Sequence, residues 1–173
     1  MPLNWASGRA VWMSINWLVS ISIVPITWTD FNFGSVVSSN RVQILTGYLW
    51  ENSFQLEDSR WENSGYYVTL SISSLNSVNT SNSIVSSNIQ LKSYWISTIS
   101  WTPAEDVWIQ PQITTWTTMS GTVVYLTRPD ISVEDDPLVW RYGDNLEFKV
   151  TVPPYTYSDR YKAVITYTLY DNE

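Results

Sequence analysis

The chain has 173 residues, 44% of them hydrophobic, which is enough material for one domain with a real core. Nine Lys plus Arg against 16 Asp plus Glu give a net charge of -7, and the cations are scattered from Arg9 to Lys162, so nothing is arranged to neutralise a phosphate backbone and nucleic acid is not an expected partner. The absence of Cys and His excludes disulfides, thiolate or imidazole metal ligands, Cys nucleophiles and any triad with a His base.

Eleven Trp, eleven Tyr and 41 Ser plus Thr stand against only four Ala. Helices favour Ala, Glu, Lys and Leu, whereas strands favour aromatic and β-branched residues, so the usage predicts an all-β chain. The Ser, Thr, Asn and aromatic richness also suggests an extracellular or cell-surface location.

The first predicted element lies in residues 10 to 24, "AVWMSINWLVSISIV", part of an uncharged run that reaches Thr29. Its odd positions read Val11, Met13, Ile15, Trp17, Val19, Ile21 and Ile23, and its even positions include Ser14, Asn16, Ser20 and Ser22. Period two marks a strand. Asn16, three serines and Pro25 sit badly in hydrocarbon, so no membrane span is expected. A signal peptide fits poorly as well, with only Arg9 before the block and "PITWTD" after it. Residues 1–28 are therefore expected to hold a long N-terminal strand that pairs with its own sheet or with a neighbouring molecule.

Weaker strands are predicted at 42 to 50, 88 to 101, 107 to 116, 122 to 127 and 138 to 142. Stronger ones alternate cleanly. "YVTLSISSL" sets Val68, Leu70 and Ile72 against Thr69, Ser71 and Ser73. "LEFKVTV" sets Leu146, Phe148, Val150 and Val152 against Glu147, Lys149 and Thr151, and "YKAVITYTL" lines up Tyr161, Ala163, Ile165, Tyr167 and Leu169. Each has the pattern of a half-buried strand in an antiparallel sheet. The Ser- and Asn-rich stretch 71 to 87 is expected to be a long loop or edge, and its sequon at Asn79 is no more than such a composition produces by chance. Turn residues fall between the strands, among them Gly34, Gly65, Pro103, Gly121, Pro137, Gly143 and the Pro153–Pro154 pair. The expected architecture is one antiparallel β-sandwich over residues 1–173, Greek-key or jelly-roll-like, with about eight to ten strands.

Candidate chemistry is sparse. Three carboxylate pairs, Glu57 with Asp58, Glu105 with Asp106 and Asp135 with Asp136, could serve glycoside hydrolysis, but neighbours on a strand point to opposite faces. Solvated charge is the plainer reading of them. "VEDDP" could offer oxygen ligands to Ca²⁺, yet it lacks the alternating Asp spacing, Gly and final Glu of an EF-hand loop. Trp95, Trp101, Trp108 and Trp116 could form a sugar-stacking platform, although core or interface packing is the commoner use of such residues. The six glycines are spread singly, so there is no phosphate-cradling loop. No cofactor, no metal and no catalytic residue is expected; the chain reads as a non-enzyme.

Two passages resemble the hallmarks of the WxL domain, a cell-surface domain of Gram-positive proteins. "FQLEDSRWENSGYYVTLSISSL" is similar to the family's Asp-and-Arg segment followed by Gly, Trp, any residue and Leu. "FKVTVPPYTYSDRYKAVITYTLYD" is similar to its closing strand, Pro turn, Tyr and Trp-Thr-Leu, and "FNFGSV" resembles its early Phe-Gly turn. The signature Trp positions are both tyrosines here, Tyr66 (with Val68 at the Leu position) and Tyr167 (followed by Thr168 and Leu169). The resemblance implies non-covalent association with a cell-envelope polymer or with other surface proteins, and the altered Trp positions bear most on wall binding.

The leading expectation is thus a non-catalytic, WxL-like structural or interaction protein of the cell envelope. A second is a filament or surface-layer subunit, a homo-oligomer or polymer built by donating the N-terminal strand, whose odd-numbered face would fill a neighbour's pockets. A third is a carbohydrate-binding module.

Overall fold

The computed structural model describes residues 21–24, 37–49, 55–58, 65–100, 109–130 and 140–171. It is an all-β antiparallel sandwich. Thirteen strands are described, more than the eight to ten expected, because several are ladders of two to four residues: β1 (Ile21–Val24), β3 (Gln55–Asp58), β5 (Leu75–Ser77), β6 (Ser83–Ile84), β8 (Gln110–Pro111), β9 (Thr117–Thr118) and β12 (Tyr161–Lys162). The longer strands are β2 (Gln43–Leu49), β4 (Tyr66–Ile72), β7 (Ile89–Ser100), β10 (Val123–Arg128), β11 (Trp140–Val152) and β13 (Ile165–Asp171). One 3₁₀ turn at Ser86–Asn88 precedes β7.

The larger sheet runs β1-β3-β11-β7-β9, with β2 also on β11. β2 and β3 line up along one side of β11, pairing Gln43 with Val152 at one end and Asp58 with Trp140 at the other. The facing sheet runs β13-β4-β10-β8, and a small third sheet holds β12-β5-β6. Apart from β5 and β6, few sequence neighbours pair with each other. From β3 onward the chain mostly crosses between sheets, as in Greek-key and jelly-roll sandwiches.

Alternation explains the core. Tyr66, Val68, Leu70 and Ile72 of β4 and Leu146, Phe148, Val150 and Val152 of β11 are buried in one cluster with Leu45, Leu56, Ile89, Leu91, Tyr125 and Tyr167. Glu147, Lys149 and Thr151, on the opposite face of β11, are only half-buried. Each fully buried side chain of this size contributes roughly 1.5–3 kcal/mol relative to leaving it in water. Thr69 departs from the simple pattern: it lies on the outer face, yet its neighbours cover it to 7% exposure.

Several expectations change. Residues 138 to 142 and 146 to 152 were expected to be separate strands with Gly143 as punctuation, but β11 is continuous through Gly143. Register shifts against β7 between Arg141 and Tyr142 and between Asn145 and Leu146 absorb the irregularity, which is the usual role of a glycine inside a strand. Among the described residues of the strand expected at 107 to 116 only the short β8 forms, the strand expected from Tyr161 to Leu169 is split into β12 and β13, and the Ser-rich stretch 71 to 87, expected as a long loop or edge, contributes β5 and the edge strand β6.

Candidate interaction surface

β11 gives the sandwich two ends. The Trp140 end gathers Asp58 of β3, Ser100 of β7, and, in the facing sheet, Tyr66, Arg128 and Asp171. Gly65 sits there because nothing larger fits: an added Cβ would come within 2.6 Å of the Arg128 carbonyl oxygen and 2.8 Å of the Asp130 amide nitrogen. Its own N–H donates to the Asp130 carboxylate. The Val152 end carries residues 37–42, 78–88 and 153–160, which among the described residues include the exposed Val37, Val42, Val78, Val85, Tyr155 and Tyr157.

Proline creates the turn at that end. Pro153 and Pro154 lack the N–H needed to extend the β11 ladder, and their fixed φ directs the chain into a turn. The Thr156 amide donates to the Pro153 carbonyl at 3.4 Å and its hydroxyl does so at 2.7 Å. Tyr155 occupies the position of a type II turn that requires positive φ, at φ 58°, the sole non-glycine residue with positive φ among those described. For an L-residue this costs on the order of 1–2 kcal/mol.

Distant backbone holds the strained turn in place. The Tyr155 amide donates to the Ser39 carbonyl at 2.7 Å, and the Ser38 hydroxyl donates to the Thr156 carbonyl at 2.9 Å. On the other side the Tyr161 hydroxyl donates to the Tyr157 carbonyl at 3.1 Å. Asp159 is the hub of the following residues. Its carboxylate accepts from the Ser77 hydroxyl, the Asn79 side-chain amide at 2.6 Å, the Asn79 backbone amide at 3.2 Å and the Arg160 amide at 2.7 Å. The Ser77 bond, followed by those from Arg160 and Asn79, holds the carboxyl below the usual carboxylate range against an opposing desolvation effect. Burial, then the nearby Asp159 charge, raises the Tyr161 hydroxyl above the usual tyrosine value.

The frame is fixed, and it presents apolar groups to solvent. Tyr155 is 77% and Tyr157 66% exposed, with Val37 at 83% and Val42, Ile44 and Val85 above half. Rigid aromatic side chains on a pre-organised loop lose little entropy on binding, which is why such residues anchor interfaces. The sequence reading did not single out Tyr155, Tyr157 or Asp159. The available signal was the double proline at a strand end followed by Tyr-Thr-Tyr.

The positions that were singled out lie elsewhere. Tyr66 and Val68 on β4 and Tyr167 and Leu169 on β13 come together, with Val68 opposite Leu169 and Leu70 opposite Tyr167. Tyr66 and Val68 are fully buried, Tyr167 is 9% exposed, and Leu169 packs partly buried against the core. The Tyr167 ring meets Tyr125 at 5.7 Å, and the Arg128 guanidinium lies 5.8 Å over Tyr66. These four positions are core positions.

Of the apolar face from Val11 to Ile23, the structure describes Ile21 and Ile23. β1 pairs with β3 of the same chain, setting Ile21 opposite Asp58 and Ile23 opposite the buried Leu56. Val11, Met13, Ile15, Trp17 and Val19 lie outside the described residues, as do Trp101 and Trp108 of the proposed sugar platform and the carboxylates at 105–106 and 134–136. Trp95 pairs with Asn145 at the far half of β7. Trp116 is 36% exposed and has the Lys149 ammonium 5.2 Å from its ring centroid, so a cation already occupies that ring face. Glu57 and Asp58 are successive positions on β3 and so lie on opposite faces. Among the described residues no group of three or more acidic side chains is placed to hold a metal, and no helix is long and apolar enough to cross a membrane. No protein-family model, curated protein or solved structure matches the chain.

Proposed function

We propose that the chain is a non-catalytic structural and interaction protein of the cell envelope, WxL-like and located at the cell surface, that docks through the turn at the Val152 end of the sandwich. The observation that carries this is Tyr155, held at positive φ by hydrogen bonds to a segment over 110 residues away while its ring stays 77% exposed. Strained backbone persists where the surroundings over-determine it, and such residues cluster at functional sites. The turn falls within the second WxL-like passage, at its Pro-turn-and-Tyr segment. The pairing of β1 with β3 of its own chain favours this reading over donation of the N-terminal strand to a neighbour.

Co-sedimentation with an envelope fraction from a Gram-positive bacterium provides the test. The intact chain should pellet with the envelope, and the Tyr155→Ala/Tyr157→Ala chain should bind about tenfold more weakly or worse, as expected when aromatic anchors are truncated. Equal binding by the double variant, with its fold intact by circular dichroism, would remove the turn from the account. Failure of the intact chain to pellet would remove the envelope.

A further inference from the structure

The fold gathers some of the cations that are scattered along the sequence. Lys149 lies 5.2 Å from the centroid of the Trp116 ring, Arg128 lies 5.8 Å from that of Tyr66, and Lys92 stands opposite Glu147 in the register of β7 and β11. Arg41, Arg160 and Lys162 differ from these. Among the described residues their side chains make no ion pair and no hydrogen bond, and both arginines are exposed. All three lie around the Tyr155 turn. The Arg41 amide donates to the Ser39 hydroxyl at 3.1 Å, and the Ser39 carbonyl accepts the Tyr155 amide. Arg160 precedes Tyr161, whose hydroxyl donates to the Tyr157 carbonyl, and Lys162 pairs with Asn76 of β5. The acid of these segments, Asp159, has its carboxylate taken by Ser77, Asn79 and the Arg160 amide. In a chain of net charge -7, the turn is thus ringed by cations that nothing described neutralises.

We propose that the partner of the turn is an acidic polysaccharide, a sugar chain that carries carboxylates. The inference rests on the turn being a docking surface and names what docks there. A guanidinium takes a carboxylate through two parallel N–H bonds and an ammonium adds a point charge, so Arg41, Arg160 and Lys162 together suit a ligand with several anionic groups. Tyr155 and Tyr157, 77% and 66% exposed, add flat apolar ring faces with a hydroxyl at the tip, which match a sugar ring and offer little to a bare anion. The two kinds of group at one turn therefore favour an acidic sugar chain over a polyphosphate. Arg41 and Arg160 reach the turn from different segments, which favours a chain over a single sugar acid. At about 0.1 M salt the Debye length is about 10 Å, so the cations beside the turn act on the ligand while the chain's negative charge beyond that distance is screened.

Isothermal titration calorimetry of the purified chain with polygalacturonate tests this without any envelope material. At about 100 mM salt the intact chain should bind, and at about 500 mM salt the affinity should fall about tenfold as the charges are screened. Uncharged dextran and inorganic polyphosphate should each bind more weakly than polygalacturonate, the first for want of charge and the second for want of sugar rings. Arg41→Gln/Arg160→Gln should weaken polygalacturonate binding about tenfold or more, whereas Lys92→Gln/Lys149→Gln, which removes as much charge from the outer face of the larger sheet, should leave it unchanged. Circular dichroism checks the fold of each variant, and the salt and ligand comparisons need only the intact chain. No binding at about 100 mM salt, binding indifferent to salt or to the arginines, or an equal loss with the lysine pair would overturn the proposal. Dextran bound as tightly would overturn it in favour of a neutral sugar, and polyphosphate bound as tightly in favour of charge alone. Any of these results beside continued pelleting of the intact chain with the envelope fraction would remove the acidic polysaccharide and leave the turn as a docking surface.

Discussion

Tyr155 sets a cost against a use. Its left-handed backbone costs on the order of 1–2 kcal/mol, and a glycine there would lose roughly 0.5–1 kcal/mol through the freer unfolded chain. Tyr155→Gly should therefore leave the stability measured by urea titration unchanged or raised by up to about 1.5 kcal/mol while weakening envelope binding, which separates the turn's stability from its function. Gly65 behaves oppositely: the Arg128 and Asp130 backbone atoms leave no room for a Cβ, and Gly65→Ala should lower stability by about 1–3 kcal/mol in the same titration. Asp159 supplies the acid sensitivity of the turn. Its carboxyl is held below the usual range, so its contribution is complete above the ordinary carboxylate pKa and is lost as pH falls through the lower folded value. Asp159→Asn should flatten the acid limb of the stability profile, and an unchanged acid limb would exclude Asp159 as its source.

At the scale of strands, burial follows alternation wherever a strand has one wet face. The sequence pattern located β4 and the Leu146–Val152 part of β11 with their inward residues, and the structure buries all of these. Phe148→Ala, at a fully buried position between β2 and β7, should cost about 3–5 kcal/mol in chemical denaturation; a loss under about 1 kcal/mol would contradict the placement of the core there. Gly143 misled because a glycine between two apolar runs has the composition of a turn, and only the register shifts beside it show that the ladder continues. The short strands β5, β6 and β9 were not legible, since two or three residues carry no period, while β8 and β12 fall inside longer strands expected at 107 to 116 and from Tyr161, whose breaks the alternation does not mark. The motif-like tyrosines 66 and 167 were found as residues but not as a place: adjacency of β4 and β13 is a property of the sheet. The turn at Tyr155 was the least legible feature. Two prolines announce a turn, but the positive φ of Tyr155 depends on Ser38 and Ser39, which no local pattern connects to it.

At the scale of the whole molecule, the two larger sheets form a scaffold whose interior accounts for most of the patterned sequence, and the Val152 end holds the exposed Tyr155, Tyr157, Val37 and Val42. The proposed docking surface accordingly lies at an end, on a loop held by the sheets, where binding residues commonly lie. Hydrogen–deuterium exchange of the chain with and without the envelope fraction tests that placement most directly. The account predicts that added protection centres on residues 37–42 and 153–160. Protection centred instead on the outer face around Trp116 and Lys149, with residues 153–160 exchanging as in the free chain, would contradict it.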